Sequence, residues 1–272
     1  MFNRRVVLSF AAGGFCYAMA GVHAQAQTVA FSSGADAISG TVTKKVLSNC
    51  PVLTSTTTIA PVDQSTTSTS GSDDTPEAKA SQTIYGVEVY NLSGVDDSTS
   101  ASNTAAAEFG KAEAKTTKAS LLQGLVTWTA NDDPLTCAYS SQKANCTSTQ
   151  TTSGLAINGA MVPADTYPAG TSFDVAGTIN DPQCLGKSTF KGTLAAQSST
   201  QQTTASGGSL EVTGLRLTGQ ATCIVAGLVP FSTTDYDLKV SRARAGVQGR
   251  LPDPNMHVSE LKFIVNSDVP PQ

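Results

Sequence analysis

Three pairs of adjacent aspartates are the side chains in this sequence best suited to acid–base chemistry. They are Asp73-Asp74, Asp96-Asp97 and Asp132-Asp133. Two carboxylates that flank a glycosidic bond can hydrolyse it, and spaced carboxylates in one loop can bind calcium. We expect each pair to lie in a turn or loop, and no spaced Asx repeat accompanies them. The sequence therefore favours solvated carboxylates over a hydrolase or calcium site.

Histidine content limits nucleophilic catalysis. His23 lies in an N-terminal segment that we expect to be removed, so a Ser-His-Asp or Cys-His arrangement would depend on His257. We expect His257 at the surface, where a Pro-rich turn leads into a late strand. The sequence contains no Gly-x-Ser-x-Gly elbow, P-loop or dinucleotide fingerprint. It therefore predicts no catalysis and no cofactor.

The cysteines fit an oxidising compartment. Apart from Cys16 near the N-terminus, they are Cys50, Cys137, Cys146, Cys184 and Cys223. Cys137 and Cys146 bracket a short polar loop and are the favoured disulfide pair. Cys184 with Cys223 is the second choice, which leaves Cys50 as a possible free thiol, although other pairings stay open. No C-x-x-C motif is present, so a zinc site is not expected.

Arg242 and Arg244 are the candidate binding residues. They are two positions apart in a strand-like run and so share one strand face. Such a face could bind an anionic glycan or surface polymer. The alternative, which the sequence favours, is that the arginines cap an edge strand or pair with acidic neighbours such as Asp235 and Asp237.

The elements that would position these residues are predicted strands. The clearest pattern is in Gly207–Val247, where the apolar alternation shifts by one residue at Gly214, which predicts a β-bulge. Asn158-Gly159 predicts a hairpin turn. The other predicted strands are Ala37–Leu47, Val52–Ile59, Thr83–Leu92, Ser120–Ala130, Thr136–Ser140, Thr171–Gly177, Ser188–Ala196 and His257–Asn266.

Four polar or ambiguous segments separate these strands. Asp63–Ser81 and Ala196–Gly208 have almost no large apolar residue and predict loops. Asn131–Pro134 predicts a turn. Ala105–Lys118 has the composition of a helix, but its alternating alanines continue directly into a predicted strand, so both structures stay open.

Strands at this spacing predict an all-β, mainly antiparallel, β-sandwich-like layered fold with long Ser/Thr-rich loops. A β-solenoid is the alternative, although no fixed repeat period is present. The length of 272 residues suits one β-rich domain. We therefore predict a single all-β domain at 27–249, followed at 250–272 by a Pro-rich turn, a last strand and a tail.

Residues 1–26 have the pattern of a secretory signal. Arg4 and Arg5 precede an apolar run over Val6–Val22, and Ala24-Gln25-Ala26 offers a cleavage site. A membrane anchor and a twin-arginine signal are the alternatives. We expect a secreted mature chain without a membrane span. The net charge of −4 argues against nucleic acid as a partner.

Motifs between Ala101 and Val247 resemble the bacterial choice-of-anchor P family. They are SLLQGLVTWTA at Ser120–Ala130, GLAINGAMV at Gly154–Val162, GGSLEVTGLRLTG at Gly207–Gly219 and DYDLKVSRARAGV at Asp235–Val247. The resemblance implies a secreted or surface-displayed all-β protein of unassigned function, and it carries no catalytic residue. Because the C-terminal NSDVPPQ lacks an apolar anchor, we expect release from the cell.

Two functions follow as hypotheses. The preferred one is a secreted, non-catalytic structural or cell-surface interaction protein, with an envelope or extracellular polysaccharide or protein as partner. The alternative is a carbohydrate-binding module or glycan-acting hydrolase that uses Tyr139 or Tyr167 with nearby carboxylates. A cleft with exposed aromatic rings beside carboxylates would favour the alternative.

Overall fold

The computed structural model describes residues 29–47, 51–62, 64–68, 70–75, 78–104, 107–140, 143–163, 167–184, 186–204, 207–225 and 229–248. The predicted signal at 1–26, Cys50, and the segment 250–272 with His257 lie outside the described residues. Every regular element in the described ranges is a β-strand, which confirms the all-β fold class. No helix within them is long and apolar enough to cross a membrane.

Sixteen strands are present in the described residues. They are β1 (Ala30–Val46), β2 (Leu53–Val62), β3 (Ser65–Ser68), β4 (Gly71–Asp74), β5 (Ala78–Ile84), β6 (Val87–Thr104), β7 (Ala107–Leu121), β8 (Val126–Ser140), β9 (Lys143–Ser148), β10 (Thr151–Ser153), β11 (Ala156–Ile157), β12 (Ala160–Met161), β13 (Ser172–Asp181), β14 (Gly186–Thr203), β15 (Gly207–Val225) and β16 (Val229–Gln248).

These strands form two sheets. The first has the order β13-β14-β15-β16-β1-β2, with β3 also paired to β1. The second has the order β12-β11-β8-β7-β6-β4, with β5 paired to β6 and with β9 and β10 paired to β8. The pairs in both sheets are antiparallel. This pairing fits the predicted sandwich-like class and does not fit the parallel solenoid alternative.

The two sheets pack face to face over two buried clusters. The larger cluster contains leucine, isoleucine, valine and aromatic side chains from both sheets, among them Trp128, Phe190 and Leu238. The smaller cluster is rich in alanine and includes Ala114 and Ala245. A filled interior of this kind leaves the outer faces and strand ends as the surfaces available for function.

The long strands reverse which side chains face the core near their midpoints. In β15, Val212 is buried on one side of Gly214, and Leu215 is buried on the other. The bulge predicted at Gly214 is wrong, because the pairing of β15 with β14 and β16 keeps one register there. The register shift in this strand lies instead between Cys223 and Ile224.

The reversal has a backbone cause that sequence periodicity does not reveal. Gln197 on β14 and Ser241 on β16 flank Gly214, and their φ angles are 54° and 51°. In the second sheet, Lys118 on β7 has a φ of 45°. A left-handed residue inside a paired strand turns the next side chain to the opposite face. At this level, neighbouring strands therefore switch together in which alternate residues face the core, and the pairing of the strands is preserved.

Several polar segments predicted as loops or turns are strands. Asp63–Ser81 contains β3, β4 and the start of β5, and β14 and β15 occupy most of Ala196–Gly208. Asn131–Pro134 lies inside β8, and the ambiguous Ala105–Lys118 belongs largely to β7. Backbone hydrogen bonds form these strands, and an outward side chain need not be apolar, so low hydrophobicity was a poor guide.

Two segments predicted as continuous strands each contain a turn. Thr83–Leu92 is divided by a two-residue turn at Tyr85 and Gly86, with φ angles of 53° and 85°. Ser120–Ala130 is divided by a turn between β7 and β8. The hairpin predicted at Asn158-Gly159 is confirmed, with φ angles of 52° and 74° that suit a type I′ turn.

Candidate functional site

Two of the aspartate pairs, Asp96-Asp97 and Asp132-Asp133, do not act as pairs, because the pleat separates their side chains, whereas Asp73 and Asp74 on β4 are both exposed. Asp97 on β6 and Asp133 on β8 are fully buried, whereas Asp96 and Asp132 point outward on either side of Lys115. The solvated interpretation is therefore wrong for Asp97 and Asp133. Among the described residues, no group of three or more potential metal-binding side chains comes together.

Asp133 belongs to a buried polar group between the sheets. Asn131 Nδ2 donates to Asp133 Oδ2 at 2.6 Å, and Thr152 Oγ1 donates to Asn131 Oδ1. Asp133 Oδ1 has no hydrogen-bond partner. Burial raises the pKa of Asp133 well above its ordinary value, although the hydrogen bond from Asn131 acts in the opposite direction. A Cβ at Gly214 would collide with Asp133 Oδ2, so glycine provides the space for this carboxyl.

Replacing Asp133 by asparagine is expected to stabilise the protein at neutral pH. A carboxyl with a raised native pKa keeps its proton in the folded state while the unfolded chain releases it above about pH 4. Wild-type stability therefore falls by up to about 1.4 kcal/mol per pH unit between that value and the native pKa. Asparagine has no ionisable carboxyl, so the variant lacks this loss of stability with rising pH.

Denaturant titrations at pH 4 and pH 7.5 measure the effect of Asp133→Asn. The stability difference between variant and wild type should be small at pH 4 and larger at pH 7.5. The pH dependence of this difference, and not that of either protein alone, isolates Asp133 from the other carboxylates. A difference that stays constant with pH would contradict the assignment.

Arg242 and Arg244 do not form an open anionic-ligand face. They are 1% and 6% exposed, and Arg242 Nε donates to Asp36 Oδ2 at 2.8 Å. The favoured alternative is right in that the arginines pair with a carboxylate, but that carboxylate is Asp36. The strand β16 lies between β15 and β1, so it is not an edge, and Asp235 and Asp237 pair with other cations.

The structure contains the two disulfides favoured from the sequence. Cys137 bonds to Cys146 across β8 and β9, and Cys184 bonds to Cys223, which ties the turn after β13 to β15. Two disulfides fit an oxidising environment outside the cytoplasm. In the part of the chain that the structure describes, all four cysteines are thus bonded.

The two tyrosines named for glycan binding are buried. Tyr139 is 9% exposed in the smaller cluster, and Tyr167 is 6% exposed with its ring edge-to-face against Phe173 at 5.3 Å. A sugar ring cannot stack on a buried aromatic side chain. A cleft with exposed aromatic rings would have favoured a carbohydrate module, and neither Tyr139 nor Tyr167 provides such a ring.

Side-chain amides protect the outer edge of β13. Gln123 Nε2 donates to the Asn180 carbonyl at 2.8 Å, and Gln123 Oε1 accepts from the Asn180 amide at 2.8 Å. Asn158 Nδ2 donates to the Ala176 carbonyl from the hairpin turn of the second sheet. An unprotected edge strand can pair with another chain, and these amides occupy the groups that would do so.

Replacing Gln123 by alanine is expected to increase self-association. The change exposes the backbone amide and carbonyl of Asn180 at the β13 edge, and Gln123 itself is an exposed residue. Analytical ultracentrifugation over a concentration series should show more dimer or larger species than wild type. The exposed Gln220→Ala on the sheet face is the control, and equal behaviour of the two variants would contradict an edge-protecting role.

The outer face of the first sheet is an ordered array of threonines, which we name the threonine face. Outward positions of β13, β14, β15, β16, β1 and β2 align in three rows. The first row is Thr178, Thr189, Thr222, Thr233, Lys45 and Thr54; the second is Ala176, Lys191, Gln220, Asp235, Thr43 and Thr56; the third is Asp174, Thr193, Thr218, Asp237, Thr41 and Thr58. Eleven of these eighteen positions are threonine, and all are exposed or half-exposed. The surface is thus rich in hydroxyls and has no large apolar side chain in these rows.

Ion pairs hold Lys45, Asp235 and Asp237, three of the five charged side chains in the rows of the threonine face. Arg216 donates to both oxygens of Asp237 at 2.9 Å, and this contact raises the pKa of Arg216. Lys45 contacts Asp235 at 2.8 Å. Partial burial acts to raise the pKa of Asp235, but hydrogen bonds from Lys45 and Gln220 leave it below the usual value. The carboxylates at the centre of the face are therefore occupied by its own cations and amides.

A pocket of about 270 Å³ opens beside the threonine face, where β2 bulges away from β1. Ile38 pairs with Val62 and Gly40 with Ile59, so β2 has one extra residue in this stretch. Bulges often re-aim side chains next to functional sites, and an edge strand tolerates the proline here. The lining consists of Ser39, Gly40, Thr41, Thr58, Ile59, Ala60, Pro61, Asp237, Lys239 and Arg242.

The pocket combines a cation that has no ion pair with hydroxyl groups. Among the described residues, Lys239 forms no ion pair, whereas Asp237 is held by Arg216. Ser39 is 6% exposed, and its Oγ has no hydrogen-bond partner. Sequence reasoning missed this site, since Ser39 and Lys239 are 200 positions apart and meet only through the β1–β16 register.

The sequence matches no protein-family model, and no curated protein matches it either. The resemblance to the choice-of-anchor P family stays a prediction.

Proposed function

We propose that this protein is a secreted, non-catalytic interaction protein that binds its partner through the threonine face. The observation that carries the proposal is the face itself. Eighteen aligned outward positions present mainly hydroxyls and charges on six strands, and only one of them, Ala176, is apolar. Solubility requires a polar surface, but it does not require one residue type in register across neighbouring strands.

The buried carboxylates support a binding role over hydrolysis. Asp97 and Asp133 lie between the sheets, where a polymer cannot reach them. Of the three carboxylates in the rows of the accessible face, Asp235 and Asp237 are each held by a cation, which leaves Asp174 without a second available carboxylate in these rows. A glycosidase needs two accessible carboxyl groups on opposite sides of the scissile bond.

Binding of the mature chain to immobilised polysaccharides and bacterial sacculi tests the proposal. The test variant replaces Thr41, Thr58 and Thr218 by valine, which removes three hydroxyls while keeping shape and strand propensity. The matched control makes the same change on the outer face of the second sheet, at Thr117, Thr127 and Thr136. We expect at least one surface to bind wild type and control alike and to lose most binding with the test variant. Blank results across the panel, or equal loss in both variants, would overturn the proposal.

A further inference from the structure

We propose that the pocket at the β2 bulge binds a carboxylate of an acidic polysaccharide whose chain lies across the threonine face. This inference rests on the proposed function and names the class of partner. Three observations support it: the composition of the pocket, its size, and its continuity with the threonine face.

The composition of the pocket suits an oxyanion. Lys239 supplies an ammonium group without an ion partner among the described residues, and hydrogen bonds to charged groups are the stronger ones. Ser39 lines the pocket and is 6% exposed, and its buried Oγ lacks a hydrogen bond that a ligand oxygen in the pocket could supply. Thr41 and Thr58 add exposed hydroxyls at the rim.

The remaining charges of the pocket do not exclude an anion. Both oxygens of Asp237 accept from Arg216, so its negative charge is compensated outside the pocket. Arg242 also lines the pocket, and its Nε is directed to Asp36. Lys239 therefore remains the cation that the surrounding strands leave uncompensated.

The size and position of the pocket favour a sugar unit within a chain. A volume of about 270 Å³ is below the usual range for drug-sized ligands, about 300–1,000 Å³, so it suits one small group. Thr41, Thr58 and Asp237 belong to both the pocket and the third row of the threonine face. A polymer anchored by a carboxylate would therefore continue over hydroxyl side chains, which match the hydroxyls of a polysaccharide.

Isothermal titration of the mature chain with tri-galacturonic acid tests the inference. We expect Lys239→Met to weaken binding at least tenfold, since it removes the charge and keeps much of the side-chain length. Ser39→Ala should weaken binding about fivefold, which corresponds to one hydrogen bond. The control Lys111→Met, on β7 in the outer face of the second sheet, should change binding less than twofold. Binding should also weaken as salt increases.

Three comparison ligands test whether the bound carboxylate must belong to an acidic polysaccharide. A neutral oligosaccharide of the same length should bind much more weakly, and acetate and poly-glutamate should not reproduce the affinity. Equal binding of any of the three, or no effect of Lys239→Met, would overturn the inference. If tri-galacturonic acid does not bind while the valine variant still loses polysaccharide binding, the inference fails and the proposed function stands.

Discussion

Asp36→Asn is expected to lower the free energy of unfolding by about 3–5 kcal/mol, the usual cost of breaking one side of a buried ion pair. The Asp36 side chain is completely buried, and its Oδ2 accepts from Arg242 at 2.8 Å. Arg244 Nη2 lies 3.8 Å from the same oxygen. Neutralising Asp36 leaves two nearly buried guanidinium groups without this carboxylate.

Urea denaturation of Asp36→Asn measures this effect, with Asp235→Asn as the matched control. Asp235 makes an equally short contact with Lys45, but both side chains are more than a third exposed, so its loss should cost about 0–1 kcal/mol. The two variants make the same chemical change at different burial. Similar stability losses in the two would contradict the interior placement of the Asp36–Arg242 pair.

Removal of the Cys184–Cys223 disulfide is the second large effect. In the chain-entropy treatment, a bond that closes a loop of this length contributes about 4 kcal/mol, and the Cys137–Cys146 bond, with its much shorter loop, contributes about 2.7 kcal/mol. The sequence separations are 39 and 9 residues. The longer loop loses more conformational freedom in the unfolded chain when it is closed.

Paired alanine variants separate the two disulfides. Thermal or urea unfolding should rank wild type above Cys137→Ala/Cys146→Ala, and that variant above Cys184→Ala/Cys223→Ala. Cys137, Cys184 and Cys223 are all buried and only Cys146 is half-buried, so the lost packing of sulfur atoms is slightly larger for the Cys184–Cys223 bond. The reverse order would show that loop length does not govern the contribution of these bonds.

Local sequence signals predicted the features whose causes are local. The hairpin at Asn158-Gly159 requires two left-handed residues, which asparagine and glycine adopt readily. The bond between Cys137 and Cys146 joins neighbouring strands that are close in sequence. The all-β class followed from alternation in strands such as β15, where a period of two recurs on both sides of Gly214.

Features set by long-range register could not be predicted. Alternation places Arg242 and Arg244 on one strand face, but it does not show that Asp36, 206 positions away, lies beside them. The midpoint reversals arise from left-handed residues such as Ser241, a residue type without a marked preference for that conformation. The pocket at Ser39 and Lys239 depends on the β1–β16 pairing and on the β2 bulge together.

Lysine footprinting of the mature chain bound to a polysaccharide tests the central claim most directly. Lys45, Lys191 and Lys239 lie on or beside the threonine face, whereas the exposed Lys111 lies on the outer face of the second sheet. Acetylation measured by mass spectrometry should fall at the first three lysines on binding, most strongly at Lys239, and stay unchanged at Lys111. Protection of Lys111 with continued labelling of Lys239 would contradict the claim that the first sheet carries the binding surface.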